Sequence, residues 1–179
     1  MVAALAVVLI AGVFSANSAC AHDPRFACSP RAASDSIDIP DPTKSWAYYG
    51  RLAPRTEDHY RFTMRDAARI PVSVLVDVRD GANPARPVVT ILDEHAKIVA
   101  RVDLSDPVTL VEPFSRVTYI SSKDRLVTLE RGAYTMLVAM QGATAEQRYT
   151  VAIGSAERFS IFEIPYVAGA IYRIHNRKF

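Results

Sequence analysis

Cysteine is scarce in this chain, and its scarcity excludes a fold held together by disulfides. Only two cysteines, Cys20 and Cys28, occur among 179 residues. Cys20 lies at the edge of an expected export signal, which leaves Cys28 as an odd thiol. Three states of Cys28 stay possible: an intermolecular disulfide, a free surface thiol or, if cleavage occurs earlier, a disulfide with Cys20. The fold must therefore be stabilised by burial of apolar side chains.

An excess of charge is also lacking. The chain carries 21 basic and 19 acidic residues, a formal net charge of +2. Nucleic-acid binding normally needs basic residues clustered on one face. We therefore expect no nucleic-acid partner.

Catalytic motifs are the third absence. The chain has no H-E-x-x-H pair, no G-x-S-x-G elbow and no S-x-x-K motif, and its four histidines are not spaced as zinc ligands. We expect a protein that is not an enzyme. A metal-dependent enzyme of an unrecognised kind is the less favoured alternative.

The N-terminal segment has the layout of an export signal. Residues 2–14 are apolar and uncharged, and Ala19, Cys20 and Ala21 form a small-x-small site. We predict a signal peptide at residues 1–21, a mature chain that begins at His22, and a secreted or periplasmic location. Lipidation at Cys20 is disfavoured because a lipoprotein signal has an aliphatic residue three positions before its cysteine, and Asn17 occupies that position here. A membrane anchor is disfavoured because the run is shorter than about 20 residues.

Residues 22–44 are interrupted by prolines, which predicts an extended tether. Residues 45–154 then show apolar and polar residues alternating with period two, and no helical period. This pattern predicts strands whose successive side chains point to opposite faces. Nine strands are predicted within residues 59–64, 72–78, 88–92, 97–102, 108–111, 116–120, 125–129, 134–140 and 147–154.

Strands of this number and spacing, separated by turn residues, predict an all-β sandwich. The period-two register also predicts which side chains form the core between the two sheets. These are Tyr60, Phe62, Val72, Val74, Val76, Ile91, Leu129, Tyr134, Met136 and Val138.

Residues 155–179 form an apolar and basic C-terminal segment. Ser160 and Glu163 fit a capping box before a short helical segment. Residues 160–174 are too apolar to stay in water. We expect them to pack on the sandwich. Docking to a partner or to a membrane surface is the alternative, and it would suit an envelope-associated structural subunit.

Several strands together resemble the bacterial pre-peptidase C-terminal (PPC-like) domain. The similar segments follow the order of the family pattern and lie in residues 50–52, 58–62, 72–78, 89–93 and 129–138. The resemblance implies a secreted, jelly-roll-like β-sandwich that is a noncatalytic module for adhesion, substrate targeting or folding assistance. We expect a binding module with a protein or polysaccharide partner and no cofactor. Some family members bind calcium near the N-terminal edge, and Asp35, Asp38 and Asp41 are the residues here that could do so; the favoured interpretation is a solvated acidic linker.

Two further sets of residues are candidate sites. Cleavage before His22 would place an α-amino group beside its imidazole, an arrangement that can hold copper together with a second histidine. Trp46, Tyr48 and Tyr49 cluster at the start of the sandwich. Exposed aromatic rings could stack on sugars, whereas buried rings would cap the core.

Overall fold

The computed structural model describes residues 22–27, 35–80, 85–112, 115–158 and 164–178. The expected signal peptide, both cysteines and the Ser160–Glu163 capping box lie outside these residues. The strands are β1 (Asp23–Phe26), β2 (Ile37–Asp38), β3 (Trp46–Leu52), β4 (Glu57–Met64), β5 (Ala68–Asp77), β6 (Arg86–Asp93), β7 (Ile98–Val102), β8 (Pro107–Val111), β9 (Thr118–Ser122), β10 (Arg125–Leu129), β11 (Gly132–Gln141) and β12 (Gln147–Ile153). A 3₁₀ turn (Val78–Asp80) follows β5, and helix α1 (Ile164–His175) follows β12.

Within the described residues, the strands form two sheets. Sheet A has the order β1-β3-β12-β5-β9-β8, and β10 also pairs with β5; sheet B has the order β2-β4-β11-β6-β7. The chain is thus an all-β sandwich with one short C-terminal helix, as the sequence predicts. Each of the nine strands expected from the alternating pattern is present, as β4 to β12.

The inner faces of the two sheets form the main core. All ten residues predicted for the core are buried in one cluster there, so the predicted register is confirmed. Tyr60, Val72, Val74, Ile91, Met136 and Val138 are completely inaccessible to solvent. At about 1.5–3 kcal/mol for each large apolar side chain, burial of this cluster is the main source of stability.

The prediction of a tether over residues 22–44 is wrong for two parts of that segment. β1 pairs in parallel with β3 at the edge of sheet A, and β2 pairs in parallel with β4 at the edge of sheet B. An edge strand uses only one of its sides for hydrogen bonds, and for this reason Pro24 is tolerated within β1. The sandwich therefore begins before residue 45.

Helix α1 packs on the outer face of sheet A, as expected for the C-terminal segment. Ala170 and Ile174 are buried, and Ile174 joins a second cluster with Tyr49 and Tyr119. Pro165 lies in the first turn, where a missing N–H costs nothing. In the described part of the chain, no helix has the length and apolar character needed to cross a membrane.

The C-terminal end of α1 is tied to the turn after β5. Arg79 donates to the carbonyl oxygens of His175 at 2.9 Å and Ile174 at 3.4 Å, which have no partner within the helix. Its guanidinium also binds the buried carboxylate of Asp77. Arg177 forms an ion pair with Asp80 in the same turn. These contacts fix the helix on sheet A.

Candidate binding groove

The outer face of sheet B carries a groove that no other element covers in the described structure. Its volume is about 670 Å³, and it is open to solvent along its length. The floor comes from β11 and the walls come from β4, the segment after β2, and the turn between β6 and β7. The groove on the outward face of sheet B is thus available to a partner.

The outward side chains of β11 are small along part of the groove, before the larger Leu137. Ala133 and Thr135 lie in the middle of the sheet, opposite Thr63 and Arg61 of β4. On its other side Thr135 pairs with Leu92 of β6. Cross-strand neighbours with larger side chains therefore stand on both sides of a shallow central strip.

One wall of the groove is basic. Arg61 and Arg65 are exposed, and Arg61 forms an ion pair of 3.2 Å with Asp38 of β2. His59 lies on the same outward face of β4, with its Nε2 atom 2.9 Å from Glu57 Oε1. Exposed pairs of this kind contribute at most about 1 kcal/mol and exchange readily with a partner's charges.

The opposite wall is acidic and rigid. The backbone N–H groups of Lys97 and His95 each donate to Asp93 Oδ1 at 2.9 Å, and they hold the pKa of Asp93 below its usual value. Asp93 therefore stays ionised at neutral pH. Ala96 completes this turn in the left-handed region, with φ of 60°. Glu94 adds a second carboxylate to the wall.

The aromatic residues of the groove do not offer a free ring face. Phe62 and Tyr134 border the groove, but their side chains belong to the core on the inner face of sheet B, where the rings stack with centroids 5.5 Å apart. The Tyr134 hydroxyl donates to the carbonyl oxygen of Glu130 at 3.0 Å. The groove therefore presents charges, hydroxyls and short apolar side chains rather than a platform for sugar rings.

The proposed aromatic cluster does not form an exposed platform. Trp46, Tyr48 and Tyr49 are 4%, 3% and 6% exposed. Trp46 and Tyr48 belong to the core between the sheets, whereas Tyr49 faces the outer side of sheet A, next to Phe26. Consecutive strand residues point to opposite faces, so Tyr48 and Tyr49 cannot share a surface. The role of these residues is structural.

Trp46 also takes part in a buried charge cluster. The carboxylate of Asp23 is inaccessible to solvent and accepts from Lys44 Nζ at 2.8 Å and from Arg25 at 3.0 Å. Both cations lie over the Trp46 ring, at 4.3 and 4.9 Å from its centroid. The cluster joins β1 to β3 and anchors the beginning of the described chain.

The residues considered as metal ligands do not come together. Asp38 pairs with Arg61, and Asp35 is exposed. Asp41 accepts from Thr43 and pairs with Arg158 at 3.1 Å. Partial burial acts to raise the pKa of Asp41, but its bonds with Thr43 and the charge of Arg158 lower it overall.

His22 has a neighbour of a different kind. Its Nδ1 atom is 2.6 Å from Ser45 Oγ, and burial lowers the pKa of the imidazole. Among the described residues, no three His, Cys, Asp or Glu side chains are grouped as metal ligands would be. The hypotheses of calcium at the three aspartates and of copper at His22 therefore have no geometric support here.

No protein-family model matches the chain, and no curated protein matches it. Among solved structures, it is similar to the pre-peptidase C-terminal domain of a collagenase from Bacillus anthracis. Identity is 14%, the TM-score is 0.43, and the match covers 65% of this chain and 91% of that chain. A likeness at this TM-score does not establish a family, and membership of the pre-peptidase C-terminal family stays a prediction.

The chain is also similar to two PliG proteins, periplasmic inhibitors of g-type lysozyme. For the protein from Salmonella Typhimurium, identity is 18% and the TM-score 0.40, over 66% of this chain and 97% of that chain. For the protein from Aeromonas hydrophila, the values are 10% and 0.35, over 73% and 97%. Likenesses this distant concern the arrangement of strands and carry no conclusion about function.

Proposed function

We propose that this protein is an exported, noncatalytic β-sandwich module that binds a protein partner through the groove on sheet B. The observation that carries the proposal is the open groove between a basic and an acidic wall. A polypeptide can match both signs of charge at once and can hydrogen-bond to the threonines of the floor. Complementary charges of this kind favour specificity and a fast encounter.

The chemistry of the groove favours a protein over a polysaccharide. Sugar binding commonly uses an exposed aromatic face, whereas the rings of Phe62 and Tyr134, which border this groove, are buried in the core on the other face of sheet B. The groove also favours binding over catalysis. Among its described lining residues, the hydroxyl groups are those of Thr63, Thr135 and Tyr134, and the single imidazole, His59, is engaged with Glu57. An enzyme site would show a convergent nucleophile and base.

The test is site-specific photo-crosslinking in the compartment to which the protein is exported. A photoreactive residue replaces Thr135 in the floor of the groove, or Thr128, an exposed position on β10, as the control. We expect a defined protein adduct from position 135 only, identified by mass spectrometry. An adduct that forms equally at both positions would contradict the proposal.

Charge reversal provides the matched comparison. The double variant Arg61→Glu and Arg65→Glu should abolish the adduct, because it removes the basic wall. The control variant Arg69→Glu and Arg131→Glu makes the same change in net charge at two exposed arginines outside the groove lining. If the control variant loses the adduct as well, net charge rather than the groove explains the binding.

A further inference from the structure

A second surface lies on the other side of the sandwich, where helix α1 meets β1. We call it the helix–edge surface and define it by Arg25, Phe26, Tyr166, Tyr172, Arg173 and Lys178. Its tyrosines are large and accessible: Tyr166 is 40% and Tyr172 58% exposed. The helix uses Ala170 and Ile174 to pack on sheet A, so its remaining face is directed away from the protein.

Cations are combined with the aromatic rings of this surface. Arg25 lies over the Tyr166 ring at 5.1 Å, Arg173 over the Phe26 ring at 3.9 Å and Lys178 near the Tyr172 ring at 5.2 Å. Each pair presents a charged group next to an amphipathic ring. Tyrosine rings next to arginine or lysine are characteristic of protein surfaces at the boundary between lipid headgroups and water.

The surface is positively charged. Residues 164–178 contain Arg173, Arg177 and Lys178 and no aspartate or glutamate. The nearby carboxylate of Asp23 is buried and already bound by Lys44 and Arg25. Asp80, at the C-terminal end of the helix, is bound by Arg148 and Arg177. The exposed charges of the helix–edge surface are therefore complementary to an anionic layer.

The position of the N-terminal chain also favours a location of this surface near a membrane. The apolar run at residues 2–14 is separated from His22 only by residues 15–21, which span at most about 25 Å when fully extended. His22 directly precedes β1, the strand that helix α1 contacts. While that apolar run is attached and lies in a bilayer, His22 therefore stays within about 25 Å of its end.

We propose that the helix–edge surface docks on the anionic headgroups of a phospholipid membrane. The helix lies on the membrane and the sandwich stands above it. The groove, on the outer face of the opposite sheet, is then directed away from the lipid. The proposal does not depend on the nature of the groove's partner.

The test is co-sedimentation of the exported chain with vesicles. Vesicles of phosphatidylcholine with phosphatidylglycerol are compared with vesicles of phosphatidylcholine alone. We expect binding to the anionic vesicles only, and binding should weaken as salt is added because the charges are exposed. Equal binding to both kinds of vesicle, or no binding to either, would overturn the proposal.

Variants compare the helix–edge surface with another part of the chain at the same change of net charge. Each basic residue at an anionic surface contributes a factor of about five to partitioning. Arg173→Glu with Lys178→Glu should therefore weaken binding at least about 25-fold. Arg69→Glu with Arg131→Glu, which makes the same charge change at two exposed arginines outside both surfaces, should leave binding unchanged.

A variant without a change of charge tests the aromatic part. Tyr172→Ser should weaken binding several-fold while near-ultraviolet circular dichroism and thermal stability stay as in the parent, because the ring is exposed. If the charge-reversed helix variant binds like the parent, the membrane proposal is wrong. If the chain does not bind anionic vesicles but binds an acidic protein, and the helix variants weaken that binding, the membrane proposal is wrong and the surface is a protein-docking site.

Discussion

Replacement of Tyr149 by phenylalanine should destabilise the sandwich far more than its small change in size suggests. Tyr149 of β12 belongs to sheet A, and its hydroxyl donates to the carboxylate of Asp58 on β4 of sheet B. The hydroxyls of Tyr60 and Tyr149 are 2.6 Å apart. Because the single proton of Tyr149 goes to Asp58, Tyr60 must donate to Tyr149. All three side chains are at most 1% exposed.

The expected magnitude follows from the order of this chain of hydrogen bonds. Tyr149→Phe takes one hydrogen bond from each of Tyr60 and Asp58. Its loss costs about 0.5–1.5 kcal/mol for the bond with Tyr60 and about 1.5–3 kcal/mol for the bond with the carboxylate of Asp58. We expect a loss of about 2–4 kcal/mol in the free energy of unfolding. Tyr60→Phe removes only the terminal donor and leaves the bond to Asp58 intact, so it should cost about 0.5–1.5 kcal/mol.

Urea denaturation at neutral pH measures these differences in the free energy of unfolding. Tyr172→Phe is the control, because removal of an exposed hydroxyl should change stability by less than about 0.5 kcal/mol. The double variant at positions 60 and 149 should cost less than the sum of the single variants, since Tyr60 then needs no acceptor. If Tyr149→Phe costs no more than Tyr60→Phe, the hydroxyl of Tyr149 does not bridge the sheets and the reasoning is wrong.

Two more predictions concern buried rings. Burial raises the pKa of Tyr134 and, for the four more deeply buried rings, of Tyr48, Tyr49, Tyr119 and Tyr149. The prediction concerns these four. Their unfolded pKa is near 10, so the stability that they contribute is fully present below pH 10 and falls above it, by about 1.4 kcal/mol per pH unit and tyrosine. Absorbance at alkaline pH should show these rings ionising only as the protein unfolds; reversible ionisation in the folded state would refute this. Separately, a Cβ atom at Gly50 would lie 2.5 Å from the ring of Tyr149, whereas at Gly132 the nearest atom is 3.9 Å away. Gly50→Ala should therefore cost about 1–3 kcal/mol and Gly132→Ala should be nearly neutral, as judged by thermal unfolding; similar effects at both positions would show that the ring can move aside.

A period of two is clearest in the sequence for strands with one buried and one more exposed face. β4 and β11 alternate regularly between buried and more exposed residues, so their period of two is visible in the sequence. β3 is buried on both faces from Trp46 to Gly50, because sheet B covers one side and α1 the other. Such a strand has no alternation to detect. The sequence does not predict β1, because Pro24 indicates a break. The proline is acceptable only because β1 lies at the edge of the sheet.

The candidate groove was less accessible to prediction than the core. The outward residues of β4, His59 and Arg61, follow from its alternation. Their meeting with Thr135 and Leu92 depends on the pairing of three strands that are distant in sequence. In contrast, the cluster of Trp46, Tyr48 and Tyr49 is conspicuous in the sequence because its members are adjacent, and adjacency in a strand separates side chains rather than joining them.

The two outer faces of the sandwich have different compositions, and the difference is consistent with the two binding surfaces that we propose. The outer face of sheet A carries Ala47, Tyr49 and Leu75, which would form an exposed apolar patch without a cover. Helix α1 provides that cover, and its own outward face is basic and aromatic. The outer face of sheet B carries arginine, threonine and carboxylates, which need no cover. A partner in the groove and a surface under the helix therefore contact opposite sides of the molecule, and binding at one side leaves the other side free.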